Sequence, residues 1–397
     1  MESAEGAGTT GDAVRIDLLD GDMYAGDPGP VYAWLREHAP AYFDEGNGLW
    51  GVSRHADISA IERDGRLWSS TGGYRPQLPS DPSMIGMDDP EHAARRRLVY
   101  RRFTPRHVAE KYTDRVRAVV TELIDEALEK GTVDAVPALA APLPGRMIGW
   151  LLGFPDERWP ELVHWSETTI VAGGGLRYVT HDAAVAAGEF ATAVLELAEE
   201  RRRCPHDDLT SLWAGHPDYD DEHLANEALL LLDGGAETTR TVIATTIDAL
   251  IRHPEQWAVL REDPGLMENA VEEFIRWTTP VLNMCRTATR DTLLAGREIS
   301  GGQQVLLMYG SANRDPEVFT DPDVFDVTRP AGRHIAFGLG THFCLGAALA
   351  RLELRIFFEE FVRRIGSAAW ADDRGPRILP NAFVRGVTSF PVTLEPR

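Results

Sequence analysis

Phe337-Gly-Leu-Gly-Thr-His-Phe-Cys-Leu-Gly-Ala347 is the stretch on which the reading turns. Glycines at 338, 340 and 346 surround Cys344, and helical periodicity begins just after it, at Leu345, and runs to about Arg364. Backbone N–H groups at a helix start favour an anion. A cysteine there is favoured as thiolate, the form that binds metal. No CxxC or HxxxH pairing accompanies it, which argues against tetrahedral zinc. A lone thiolate on a glycine-rich loop fits an axial haem ligand, which pushes electron density onto iron and favours O–O cleavage. The competing reading, an inert buried cysteine, is weakened by the density of glycine.

Three segments elsewhere bear on the same chemistry. Asp220-Asp-Glu-His-Leu opens a helix predicted to run to His253-Pro254, with Asp-Gly-Gly-Ala-Glu-Thr-Thr-Arg (233–240) at its centre. Two adjacent glycines in a helix interior cost about 1 kcal/mol each against alanine. Either another element packs closely on Gly234 and Gly235, or the missing side chains leave room for a ligand to which Glu237 and Thr238 offer polar groups. A helical threonine can bond back to the i−4 carbonyl, and Glu237 beside Thr238 could form a proton path. Glu273-Phe-Ile-Arg276 sets a carboxylate and a guanidinium at i, i+3, which alone reads as a weak surface salt bridge. His92-Ala-Ala-Arg-Arg96 puts two cationic donors on one helix face, and Arg286 and His342 add two more. Partly buried haem propionates require several such donors.

Composition bounds the rest. The chain has 397 residues, 43% hydrophobic and 26% charged, as in an ordinary globular protein long enough to bury its own core. Lys and Arg number 40 and Asp and Glu 62, for a net charge of −22, which disfavours nucleic acid and anionic membrane as general partners. Three cysteines, Cys204, Cys285 and Cys344, make no disulfide framework and suit a reducing cytosol. No targeting segment and no apolar run of membrane-spanning length is present, so the expectation is a cytoplasmic protein.

Along the chain, residues 1–22 read as a flexible N-terminus and 23–397 as one domain, mainly α with small β-sheets. Ala41-Tyr-Phe and Leu49-Trp-Gly-Val are strand-like. Residues 69–90, with Pro76, Pro79, Pro82 and Pro90, are irregular and read either as a mobile loop or as a substrate-facing lid. Helices dominate from Asp89 to about 275. A small sheet is expected within 280–330, and strands from Phe383 to Leu394.

Assembled, these motifs resemble those of bacterial cytochromes P450, the haem-thiolate monooxygenases. The resemblance covers residues 25–395 and rests on FGxGxHxCxG at 337–346, GGxETT at 234–239, ExxR at 273–276 and HxxxR at 92–96, with Asn313-Arg-Asp-Pro and Phe103-Thr-Pro-Arg in support. It implies a triangular, mainly helical single domain. It also implies haem b, O2 as co-substrate, and NAD(P)H electrons delivered through a ferredoxin reductase and a ferredoxin to a monomeric enzyme. By the same resemblance Cys344 is the iron ligand, Phe337 packs near it, and Gly235 lies over the haem. His92, Arg96, Arg286 and His342 contact its propionates. Glu237 and Thr238 supply protons for oxygen activation, and Glu273 with Arg276 locks a helix to the loop before the cysteine. Gly234 stands where the family often has alanine.

Asp81-Pro-Ser-Met-Ile-Gly-Met-Asp-Asp-Pro, Asn283-Met-Cys-Arg286 and the cysteine loop are similar to actinobacterial enzymes that hydroxylate steroid side chains. Related enzymes act on terpenoids and polyketides. Matching positions place Met84, Ile85, Leu230, Leu231, Val281, Leu282, Phe383 and Val384 around an apolar substrate. The Gly173-Gly-Gly-Leu stretch, in a predicted lid over 170–185, departs from the steroid group. Coupling, desaturation or ring closure by the same haem-thiolate chemistry, and a non-catalytic haem sensor, are the alternatives. Finally, residues 91–117 carry nine Lys/Arg against three Asp/Glu. With Arg351 and Arg355, the residues Arg102 and Arg106 are expected to form a basic face over the thiolate for an acidic ferredoxin.

Overall fold

The architecture follows from one helix that is buried over most of its length. In the computed structural model, which describes residues 15–330 and 332–397, Asp221–Arg252 is a single uninterrupted helix. Asp220 caps it, accepting a hydrogen bond from the His223 backbone N–H at 2.9 Å. From Thr239 to Ala244 every residue is buried, so this half has no solvent face and must be wrapped. Pro142–Leu152, Trp159–Thr169 and His181–Arg203 pack on it from one side, Met267–Thr278 and Ala347–Arg364 from the other. The resulting core joins Val242, Ile243 and Ile247 to Phe274, Phe357, Phe358 and Phe361.

The strands form small sheets, as expected. Five strands lie in the order Ala41–Asp44, Leu49–Val52, Gln304–Met308, Asn283–Ala288, Trp68–Ser69. The Trp50↔Val305 pairing is parallel and the rest are antiparallel. A second sheet orders Thr132–Asp134, Pro391–Pro396 and Ile365–Trp370. A lone bridge, Val281↔Val384, ties the two C-terminal segments together beside the long helix. No helix among the described residues is long and apolar enough to cross a membrane.

One boundary needs correcting. Residues 1–14 lie outside the described residues, but the flexible segment does not extend to 22. Leu18 and Leu19 are fully buried, and Leu18 N–H donates to Asp44 Oδ2 at 2.8 Å. A short helix, Gly21–Ala25, follows. Two adjacent leucines in a Gly/Asp-rich stretch were enough to dock it.

Candidate active site

Cys344 sits in a tight loop because its glycines take backbone conformations other residues avoid. Gly338 and Gly340 both have φ +66°. The loop closes when Cys344 N–H donates to the Phe337 carbonyl at 2.8 Å, and helix Ala347–Arg364 starts three residues later. Burial pushes the Cys344 thiol up, while the Gly346 and Ala347 N–H groups, Arg96 and Arg351 pull it down. The sulfur therefore faces two backbone donors and two cations.

Above it lies a long cavity, mostly apolar, lined by Cys344, Phe337, Gly234, Gly235 and Thr238. Of the eight expected substrate positions, Met84, Ile85, Leu230, Leu231, Val281, Phe383 and Val384 line it. Leu282 does not. It packs with Leu18, Tyr24 and Tyr32 in a separate cluster, because adjacent residues of an extended segment point to opposite sides and Val281 takes the cavity side. Residues 69–90 prove to be a pinned wall. Ser69 Oγ and Ser70 N–H donate to Asp88, Tyr74 Oη to Asp81, and Met84 N–H to buried Glu227 on the long helix at 3.0 Å.

The two helix glycines divide the two readings between them. An added Cβ at Gly235 would lie 2.8 Å from Ile148 Cγ1, so a neighbouring helix packs there. A Cβ at Gly234 would meet nothing within 4 Å, so that position opens onto the cavity. The glycine stretch of the predicted lid is also a packing device: Gly173 lies under the Phe383 ring, leaving no room for a side chain.

Four basic side chains, two imidazoles and two guanidiniums, converge at the cavity edge. His92 and Arg286 are buried, and the His92 and His342 rings stand 4.1 Å apart. His342 Nε2 meets Ser70 Oγ at 3.2 Å, but its Nδ1 is buried with no partner among the described residues. Burial, then Arg286, His92 and Arg96, push His342 down to about 2. Burial lowers His92 and Arg96 as well. The carboxylate facing Arg286 is Glu62 at 3.5 Å, itself held by Tyr309 Oη at 2.6 Å. Arg96 and Arg286 lie close enough to these imidazoles to keep them from taking up a proton, and two guanidiniums gathered so call for anions. The two carboxylates of a haem meet that need, and the Cys344 thiol meets the need of its iron, so this donor set fits the group.

The helix residues expected to handle protons lie on adjoining faces. Thr238 faces the cavity and its Oγ1 donates to the Gly234 carbonyl at 2.7 Å. Glu237 is buried behind it, accepting from Arg240 Nη2 at 2.9 Å, and Arg240 also pairs with Glu167, which is partly exposed. Burial raises the Glu237 carboxyl, opposed by Arg240.

Glu273 and Arg276 are no surface pair: both are buried. Arg276 grips Glu273 through Nε at 2.6 Å and Nη2 at 2.8 Å, and its Nη1 donates to the Asn313 and Pro322 carbonyls, each at 2.9 Å. Asn313 Oδ1 in turn accepts from Ile335 N–H at 2.8 Å, two residues before Phe337. The pair thus holds its helix to the loop that leads into the cysteine.

The basic face is smaller than the count over 91–117 suggests. Arg102 and Lys111 both bind Asp207, each at 2.6 Å, and Arg117 binds Glu359 and Glu360. Arg351 pairs with Glu272 and Arg355 with Glu359. The partners come from other parts of the chain, where a window count cannot see them. Arg106 is 87% exposed despite Glu110, and Arg97, Arg101, Tyr100 and Phe343 are exposed too. Arg96 belongs to the loop itself, donating to the Phe343 carbonyl.

Sequence reasoning missed several cavity residues. Tyr74, Arg75, Asp233, Glu62 and Glu353 all line it. Asp233 is pushed up to about 7 by burial, against Arg75 and Thr169. Glu353, buried without opposing charge, is raised well above the usual carboxylate range. The aspartate directly before Gly234-Gly235 was the one signal available for Asp233.

Known proteins agree with this geometry. The family model for Cytochrome P450 matches residues 199–366. A steroid C26-monooxygenase of Mycolicibacterium smegmatis is 42% identical over 396 residues, covering 96% of each chain. A linalool 8-monooxygenase of Pseudomonas putida is 35% identical, over 96% of this chain and 100% of its own. Among solved structures, CYP109E1 from Bacillus megaterium in complex with testosterone matches with a TM-score of 0.86 at 31% identity, covering 93% of this chain and 98% of that one.

Proposed function

This chain belongs to the cytochrome P450 family and is a monooxygenase that uses haem b and O2; from that premise we propose that it hydroxylates the aliphatic part of a steroid-like substrate, with a ferredoxin as electron donor. Haem, when bound, supplies the activation of dioxygen, favoured by electron donation from its thiolate ligand. Cys344 is the residue to hold the iron, and His92, Arg96, Arg286 and His342 the residues to hold the carboxylates.

The observation that carries the substrate reading is the cavity wall. Leu230, Leu231, Val281, Phe383 and Val384 present apolar surface continuous with Thr238 and the cysteine loop. Burial drives binding of an apolar body in such a site, and few polar contacts orient it. Homology to a steroid C26-monooxygenase supports a steroid over other apolar ligands. Thr238 keeps a hydroxyl proton at the cavity, parked on the Gly234 carbonyl. The Glu167–Arg240–Glu237 series leads from that proton toward solvent, and burial, opposed by Arg240, raises the Glu237 carboxyl so that it holds a proton more readily than a free carboxylate.

The test is a substrate-induced spectral titration of the ferric holoenzyme against steroids, terpenoids and macrolides. Turnover with a ferredoxin and its reductase follows, with the products identified. Steroids are expected to shift the Soret band and to be hydroxylated on the side chain. A response to terpenoids or macrolides alone would refute the steroid reading.

A further inference from the structure

An ion pair stands inside the apolar cavity, and the proton relay does not use it. Arg75, from the pinned 69–90 wall, and Asp233, on the long helix, both line the cavity beside Ile170, Val281 and Phe383. Their closest approach, Arg75 Nη2 to Asp233 Oδ2, is 3.9 Å, too long for a hydrogen bond. Asp233 Oδ1 is already occupied: Thr169 Oγ1 donates to it at 2.7 Å. The Arg75 guanidinium lies 5.1 Å over the Tyr74 ring and 5.4 Å over the Phe383 ring, so aromatic faces fix its position. Its Nε is buried with no hydrogen-bond partner among the described residues.

We propose that Arg75 and Asp233 form the polar anchor of the substrate cavity and that the substrate carries an alcohol there, its oxygen accepting from Arg75 and its proton going to Asp233 Oδ2. This rests on reading the cavity as the substrate site. The geometry favours a hydroxyl over other groups. A hydroxyl oxygen about 2.8 Å from each atom closes the 3.9 Å gap with an angle of roughly 90°, within hydrogen-bonding range. A hydrocarbon offers a partner to neither Arg75 Nη2 nor Asp233 Oδ2. A ketone accepts from Arg75 but gives Asp233 nothing. A carboxylate adds a second anion beside Asp233, with Asp81 also near Arg75. Sites built to hydrogen-bond a substrate hydroxyl reject the analogue lacking it strongly, since the site's own polar groups are then left bare.

Soret titration of the holoenzyme with matched probes tests this: cholestanol with cholestane, citronellol with its deoxy hydrocarbon, and the acid corresponding to citronellol. In the wild type the alcohol of at least one pair should bind about tenfold or more tighter than its deoxy partner, and citronellol tighter than the acid. Arg75→Gln and Asp233→Leu should each collapse that preference to within about twofold, chiefly by weakening the alcohol. Asp233→Asn, which keeps an acceptor for Thr169, serves if the leucine variant fails to fold, and should also cut the preference. Equal binding of alcohol and hydrocarbon by the wild type overturns the anchor while the cavity reading stands. So does tighter binding of the acid, or a preference that survives the variants. If no probe of either scaffold binds the wild type, the cavity reading itself is overturned, and the anchor with it.

Discussion

Alanine at Gly234 and alanine at Gly235 should move stability in opposite directions, although the sites are neighbours in one helix. The added methyl at 234 meets open space on the cavity side. Only helix propensity changes there, a gain of about 0.8–1.0 kcal/mol. At 235 the same gain is opposed by Ile148, whose Cγ1 would lie 2.8 Å from the new carbon, with Cδ1 closer still. Carbon contacts are comfortable at about 3.5–4.0 Å, and forcing one methyl into a packed core costs about 1–3 kcal/mol. Gly235→Ala should therefore be neutral to destabilising by about 2 kcal/mol, and the two variants should differ by about 1–3 kcal/mol. Unfolding entropy near 2.1 cal/mol/K per residue over 397 residues turns that into a gap on the order of 1–4 °C. Thermal melts of the holoenzyme at one fixed scan rate read it directly. Ile148→Ala supplies the control, since it removes the obstructing carbons and leaves a cavity that costs about 2–5 kcal/mol alone. Combined with Gly235→Ala it should be less harmful than the two added, by about 1–3 kcal/mol. Equal melting of the two alanine variants, or additivity with Ile148→Ala to within about 0.5 kcal/mol, would refute the reasoning.

Three further outcomes are expected. Burial pushes the Glu227 carboxyl up to about 8, opposed by the Met84 N–H and Arg95, so between about 4.5 and 8 the folded chain holds a proton the unfolded chain has released. Stability from this group is full below about pH 4.5 and is lost as pH rises through 8, at roughly 1.4 kcal/mol per unit at most; Glu227→Gln should melt with a shallower fall from pH 5 to 8, and an unchanged slope would count against it. Thr238→Ala should keep consuming NAD(P)H and O2 but release hydrogen peroxide in place of product, measured as product per NAD(P)H; full coupling would contradict the relay. Charge reversal at exposed Arg97 or Arg106 should slow reduction by ferredoxin several-fold at low salt and far less at 0.15 M, leaving reduction by dithionite unaltered; a rate indifferent to salt and to both changes would dismiss the basic face.

What could be read from the chain, and what could not, divides along a physical line. The glycine loop around Cys344 was legible because it is local, whereas Glu273-x-x-Arg276 by itself reads as a weak surface pair, because the carbonyls that bury it, Asn313 and Pro322, lie far along the chain. The long helix was legible to within a residue at each end because its cap is local too, Asp220 to His223. Leu282 was misplaced because a one-residue alternation decides which side chain meets the cavity, and position matching does not carry that parity. The glycine stretch in the predicted lid read as a departure from the steroid group; the reason for Gly173 is the Phe383 ring, far along the chain.

Charge shows the same limit most sharply. A window over 91–117 sums to a strongly basic segment, yet Asp207 alone engages two of its cations, and Glu359 and Glu360 take a third. A fold that brings acidic residues from distant helices onto such a segment turns most of an apparent docking surface into structure. Cations the fold leaves exposed, Arg97, Arg101 and Arg106 among them, remain for a partner, and the rings of Tyr100 and Phe343 are exposed as well. The cavity inverts the argument. There the same kind of long-range convergence, Arg75 on Asp233, stops at 3.9 Å and leaves a donor unused. A pair that exists to hold the fold should close, as Arg276 and Glu273 do at 2.6 Å. The gap at Arg75 is therefore better explained by something that enters the cavity than by the fold.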